Sequence, residues 1–217
     1  MYGLRGQDIS YWQADLEHII ASKVPHISAY ARTIENKTVF GHQQEKGLLK
    51  LPTDDHYAEQ YFLMCEILAG AEYEHYEVSN FARSGYRSRH NQAYWQGKPY
   101  LGIGPGAHSY NGRERLFNIS NNAGYLRSLN SNQLATEVEV LSKEQEFNEN
   151  LLTRLRTKAG IDLALIRRNF KTELRKTAKD FINHCIKDNL AYLTEDKFVL
   201  TEKGFFVSDA IILELMK

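Results

Sequence analysis

Residues 89–110, RHNQAYWQGKPYLGIGPGAHSY, gather the side chains of this chain best suited to chemistry. His90 is followed by Asn91, Tyr94 and Trp95, with Arg87 and Arg89 just before it. Such a histidine has two readings. It is a solvated or core-capping residue, or it is an axial ligand of haem iron. In the second reading Tyr94 and Trp95 lie against the macrocycle and the arginines pair with its propionates. Gly102, Gly104 and Gly106, with Pro105 among them, then lead to His108. Their spacing is not the G-x-G-x-x-G of a dinucleotide loop. A tight strand exit and a backbone approach to a bulky ligand explain these glycines equally well. His108 is either a polar strand end or a hydrogen-bond partner for a bound cofactor. Tyrosines are dense between positions 57 and 110, enough to wall a cleft.

The rest of the sequence narrows the classes. No Ser/His/Asp set, H-E-x-x-H run or P-loop is present. Cys65 and Cys185 each sit in an apolar helical pattern without C-x-x-C spacing, so both read as buried reduced thiols. Lys+Arg and Asp+Glu both number 27 among 217 residues, which gives no general basic footprint. One basic stretch, 167–179, carries six Lys/Arg including Arg167, Arg168 and Lys171. It reads as a solvated or protein-contact face, with nucleic-acid binding as the minority view. No apolar run approaches the roughly 20 residues that span a bilayer. The N-terminal MYGLRGQDIS has no signal-peptide pattern, and a cytoplasmic location is the default expectation.

The elements that must hold these residues follow from periodicity. Trp12, Leu16, Ile19 and Ile20 form a stripe at helical spacing, predicting a helix from about Asp8 to Lys23. Residues 26–33 (HISAYART) predict a strand, 34–53 a loop, and 54–71 a second helix capped near Thr53. HYEVSNFA, 75–82, predicts another strand. This α-β-α-β order favours a parallel sheet with crossover helices. YLGIG, 100–104, predicts a short buried strand, and the residues after it a hairpin turning at Asn111-Gly112. A short helix over 121–129 completes a first domain, 1–130, and runs into a polar linker over 130–141. A second, 142–217, opens on a Ser142/Gln145 capping box. Three helices, a charged-turn hairpin over 190–204 and a last helix from Phe205 to Met216 give it the order of a winged helix.

Five stretches in this order, MYGLRGQ, PHISAYARTIE, HYEVSNFA, RHNQAYW and YLGIGPGAHSY, resemble the later part of the oxygen-independent coproporphyrinogen III oxidase-like family of radical S-adenosylmethionine proteins. The resemblance covers nearly the whole chain. It implies an α/β fold: the C-terminal portion of a partial radical S-adenosylmethionine (β/α) barrel, followed by a small winged-helix-like domain with a β-hairpin. One branch of the family decarboxylates coproporphyrinogen III to protoporphyrinogen IX. The other is a haem chaperone, marked by His-Asn-x-x-Tyr-Trp, which His90, Asn91, Tyr94 and Trp95 match.

The resemblance also implies site residues and a departure. Thr33, Gly104 and His108 match positions that wall the S-adenosylmethionine site, and His90 is the expected ligand of haem iron. The family holds a [4Fe–4S] cluster on C-x-x-x-C-x-x-C, and this sequence has no such run. The expectation is therefore a part of a longer protein, with Met1 an internal point, inactive alone and without cluster ligands. Arg5 stands where the family has proline, which loosens that turn. The expected partners are porphyrin or haem, S-adenosylmethionine, and a second copy shielding the open barrel edge.

Overall fold

A computed structural model describes residues 1–49, 51–133, 135–169 and 172–216. The chain divides into two compact units, Met1–Ser88 and Arg89–Lys217.

In the first unit, α1 (Ile9–Ala21) starts where the Asp8 carboxylate accepts the Tyr11 N–H, and it buries Trp12 and Leu16. A short strand, β1 (His26–Ser28), follows, then α2 (Val39–Glu45) and α3 (Asp54–Gly70). Thr53 caps α3 through its hydroxyl, as its position before two aspartates implies. α3 packs on α1 and buries Tyr61, Met64, Cys65 and Leu68. It also buries a polar residue, Gln60, which the apolar pattern does not announce. The Gln60 side chain accepts the Gly3 N–H at 2.8 Å and donates to the Gln7 carbonyl at 3.1 Å. MYGLRGQ is thereby fastened to α3. The turn carrying Arg5 closes, with Gln7 N–H donating to the Leu4 carbonyl at 3.1 Å.

The sheet of this unit corrects the expectation of parallel strands. HYEVSNFA is two strands, β2 (Glu74–Glu77) and β3 (Asn80–Ala82). β3 lies between β1 and β2 and pairs antiparallel with both, Phe81 opposite Ile27 and His75. The cause is local. The Glu77 carboxylate accepts the Ser79 N–H at 3.1 Å and the Asn80 side-chain amide, so the backbone turns at Val78-Ser79. A parallel contact does occur at Tyr2↔Ala31, where Tyr2 N–H meets the Tyr30 carbonyl at 3.1 Å. The strand expected over 26–33 thus ends at Ser28. α2 also stands inside the expected loop, capped by Thr38.

The second unit opens with α4 (Arg89–Trp95). Next come β4 (His108–Tyr110) and β5 (Glu114–Asn118), the expected hairpin, in register Tyr110↔Arg115. Asn111 shapes its turn, its side-chain oxygen accepting the Arg113 and Glu114 N–H groups. α5 (Asn122–Asn130) follows, then β6 (Thr136–Val140), which pairs along β5 where the sequence suggested only a linker. YLGIG is neither buried nor a strand: Leu101 is 79% and Ile103 84% exposed, and only Tyr100 pairs, across from Tyr110.

The Ser142/Gln145 capping box is present and opens α6 (Lys143–Arg154). β7 (Ile161–Asp162), α7 (Leu163–Asn169), α8 (Thr172–Lys187), β8 (Ala191–Leu193) and β9 (Lys197–Leu200) follow. Ile161-Asp162 is strand rather than the start of a helix, and it completes a sheet in the order β7-β9-β8. The expected last helix is two, α9 (Glu202–Phe206) and α10 (Ser208–Leu215). Phe147, Leu151, Leu155, Phe198, Phe205 and Ile212 fill the core, each at most 2% exposed. In the basic stretch Arg167 and Arg168 are exposed, and Lys171 lies outside the described residues. Among the described residues the sheets are three, each three-stranded and open. No described helix is long and apolar enough to cross a membrane.

Candidate functional site

α4 carries the whole His-Asn-x-x-Tyr-Trp motif on seven residues. Residues four apart share a helix face. His90 and Tyr94 therefore sit together, and both are exposed, Tyr94 by 43%. Asn91 and Trp95 form the neighbouring pair and are half-buried. Trp95 stands edge-on to Tyr94, ring centroids 5.2 Å apart at 81°. Its indole nitrogen is buried with no hydrogen-bond partner among the described residues. His90 makes no hydrogen bond or ion pair there either, so its imidazole nitrogens are open to a ligand.

The glycine run resolves the question its spacing left open. A Cβ on Gly102 would lie 2.1 Å from the His108 carbonyl oxygen, so the residue is required by the fold's own backbone. Gly104 adopts φ 108°, which side chains rarely accept. Its carbonyl accepts the Asn118 amide at 3.0 Å, and its N–H meets the Tyr125 hydroxyl at 3.3 Å. The run is a tight return that brings His108 to the first position of β4. There the exposed imidazole stands edge-on to Phe117, centroids 4.6 Å apart. A cavity of about 560 Å³ adjoins His108, walled by Phe117, Asn118, Thr136 and Glu137. Thr33 is exposed in the first unit, two residues beyond the Tyr2↔Ala31 bridge.

The expected tyrosine wall is partly present. Tyr61, Tyr73 and Tyr76 are buried in the first unit. Tyr94, Tyr100 and Tyr110 do line a cavity of about 240 Å³ in the second. Its other wall is Glu146, Glu149, Asn150 and Thr153 of α6, which sequence reading did not single out. Their i, i+3, i+4, i+7 spacing was the available signal. Burial raises the Glu149 carboxyl above its usual range, against the opposing pull of Arg115 at 2.8 Å. Burial likewise raises the Tyr100 and Tyr110 phenols, and Glu149 adds to both.

Residues 141–207 match the family model described as HemN C-terminal domain. The heme chaperone HemW of Lactococcus lactis is 36% identical over 205 residues, 94% of this chain and 54% of that protein. The Mycobacterium tuberculosis heme chaperone HemW is 30% identical over the full chain and 54% of its own length. Over nearly its whole length this chain is homologous to these HemW proteins. It spans about half the length of the curated relatives it matches. The coproporphyrinogen III oxidase HemN from Escherichia coli, described as a radical SAM enzyme, has the same fold: TM-score 0.73 over 99% of this chain and 53% of that one, at 17% identity. The α/β architecture is thus that of a partial radical S-adenosylmethionine barrel with a helical and β-hairpin domain after it.

The thiols do not fit a cluster of the family's kind. Cys65 and Cys185 are both buried reduced thiols, one in each unit. Among the described residues no group of three or more His, Cys, Asp or Glu is placed to hold a metal ion. The C-x-x-x-C-x-x-C run of the resemblance supplies three closely spaced thiolates, and two buried thiols 120 residues apart in the chain do not supply that set.

Proposed function

We propose that this chain serves porphyrin or haem metabolism as a haem-holding part of a radical S-adenosylmethionine protein of the chaperone branch, with His90 as axial ligand. One observation carries the reading: α4 presents His90 and Tyr94 side by side and exposed, with no internal partner on the imidazole. Those residues fit a haem approaching from the open side. His90 would hold the iron, Tyr94 would lie against the macrocycle, and Asn91 and Trp95 would fix the helix beneath them. Bound haem supplies an iron centre with an exchangeable axial position. The names of the relatives, heme chaperone HemW, support this branch over the decarboxylating one.

Thr33, Gly104 and His108 are proposed as the positions that meet S-adenosylmethionine in the whole protein. The exposed imidazole of His108 beside its cavity supports that role, and Gly104 supports it by setting the return that places His108. Reductive cleavage of S-adenosylmethionine requires a cluster that the described cysteines do not fit, so no step is assigned to this chain.

The test is a haemin titration of the 217-residue chain followed by the Soret band. His90→Ala is expected to weaken binding about tenfold or more, and Tyr94→Ala by less. Unchanged affinity and an unchanged Soret maximum in His90→Ala would remove His90 as the ligand.

A further inference from the structure

The cavity walled by Tyr94, Tyr100 and Tyr110 is chemically unlike a haem site. Its rings run in series, 5.6 Å from Tyr94 to Tyr100 and 6.2 Å from Tyr100 to Tyr110 between centroids. Across from them one face of α6 offers Glu146, Glu149 and the Asn150 amide. No lysine or arginine lines the space; Arg115 reaches Glu149 from outside the lining. Among the described residues none of the three phenol oxygens has a hydrogen-bond partner. At about 240 Å³ the space suits a short chain rather than a macrocycle. Carboxylates would repel the propionates of a haem placed here.

Three features of the lining favour positive charge. Aromatic faces carry the negative end of the ring quadrupole and attract ammonium and guanidinium groups. Phenol and amide oxygens accept hydrogen bonds from such groups. Glu146 is half-buried and has no ion pair among the described residues. We propose that this cavity binds an organic cation with a short alkyl stem and an ammonium or guanidinium head, the head on Glu146 and the stem along Tyr100 and Tyr110. The upward shifts of Glu149, Tyr100 and Tyr110 are of the sign that a bound cation reverses, since a nearby positive charge favours the ionised forms. The site does not depend on the haem reading and shares only Tyr94 with it.

Isothermal titration of the 217-residue chain with n-butylammonium tests this, with n-butanol as the neutral isostere. Saturable binding of the amine, weaker by about tenfold for Glu146→Gln and several-fold for Tyr110→Ala, is the expected result. A second arm uses N-acetyl-lysine methylamide. Equal affinity there assigns the site to a lysine side chain of a partner, and binding of the free amine alone assigns it to a small metabolite. Butanol binding as well as butylammonium would overturn the proposal. So would no saturable heat, or both variants binding as the parent does. Matching thermal transitions of Glu146→Gln and the parent keep loss of binding separate from loss of fold. Haem binding is read at the Soret band, so either proposal can fail without the other.

Discussion

Two histidines of the first unit, His75 and His26, and two of the second, His90 and His108, sit in opposite surroundings. In the first, His75 is 3% exposed, its Nε2 is 3.1 Å from the Val78 carbonyl oxygen, and its ring stacks on Phe81 at 4.1 Å. His26 bonds the Tyr76 hydroxyl at 2.8 Å. In the second, His90 and His108 are exposed and neither has a hydrogen-bond partner among the described residues. Glu77, Asn80 and Gln60 extend the contrast: all are buried and hydrogen-bonded inside the first unit. The polar groups of these first-unit residues are used by the fold itself. The imidazoles of His90 and His108 are left available to something else. A buried polar group must be satisfied internally, and once satisfied it has nothing to offer a ligand.

The largest effect expected is at the centre of the first sheet. Phe81 is fully buried on the middle strand, paired to β1 and β2 and stacked on His75. Phe81→Ala should cost about 3–5 kcal/mol in urea denaturation followed by the emission of buried Trp12. Ile103→Ala, at a side chain 84% exposed in the second unit, should change stability by less than about 0.5 kcal/mol. Similar losses for the two would erase the contrast.

An intermediate effect is expected at Gln60. Replacing it by leucine keeps the volume but strands the Gly3 N–H, and it removes one donor from the Gln7 carbonyl. An unsatisfied buried group costs about 1–3 kcal/mol. Gln60→Leu should fall in that range by the same urea measurement, and Gln60→Glu should not restore the parent, since it cannot donate to Gln7 when ionised. A neutral Gln60→Leu would mean that MYGLRGQ is not held through this side chain.

What could be read beforehand divides along the same line. Caps and turns were legible because one or two residues determine them: Thr53, the Ser142/Gln145 box and Asn111-Gly112 all stand as their types imply. Strand partners were not, because pairing depends on residues far apart in the chain. The run HYEVSNFA has the composition of one strand, and only the Glu77 side chain folding back on Ser79 and Asn80 makes it two. The α4 motif was legible as four residues, yet its division into an exposed pair and a half-buried pair needed the helix. The carboxylates of the tyrosine cavity were missed because they lie on α6, more than thirty residues beyond the tyrosines they face.

The smallest effect expected is a pH dependence that belongs to the first unit. Burial lowers the His26 imidazole below the ordinary histidine value of 6.5. The unfolded chain then takes up a proton at a higher pH than the folded one, so stability rises with pH through this range. The sign is that of a histidine kept neutral by the fold: its full contribution is present above pH 6.5 and is lost as pH falls through the unfolded value toward the folded one. Urea midpoints read from Trp12 should therefore fall between pH 7 and pH 5, and His26→Gln should flatten that slope. An unchanged slope in His26→Gln would assign the dependence to another group.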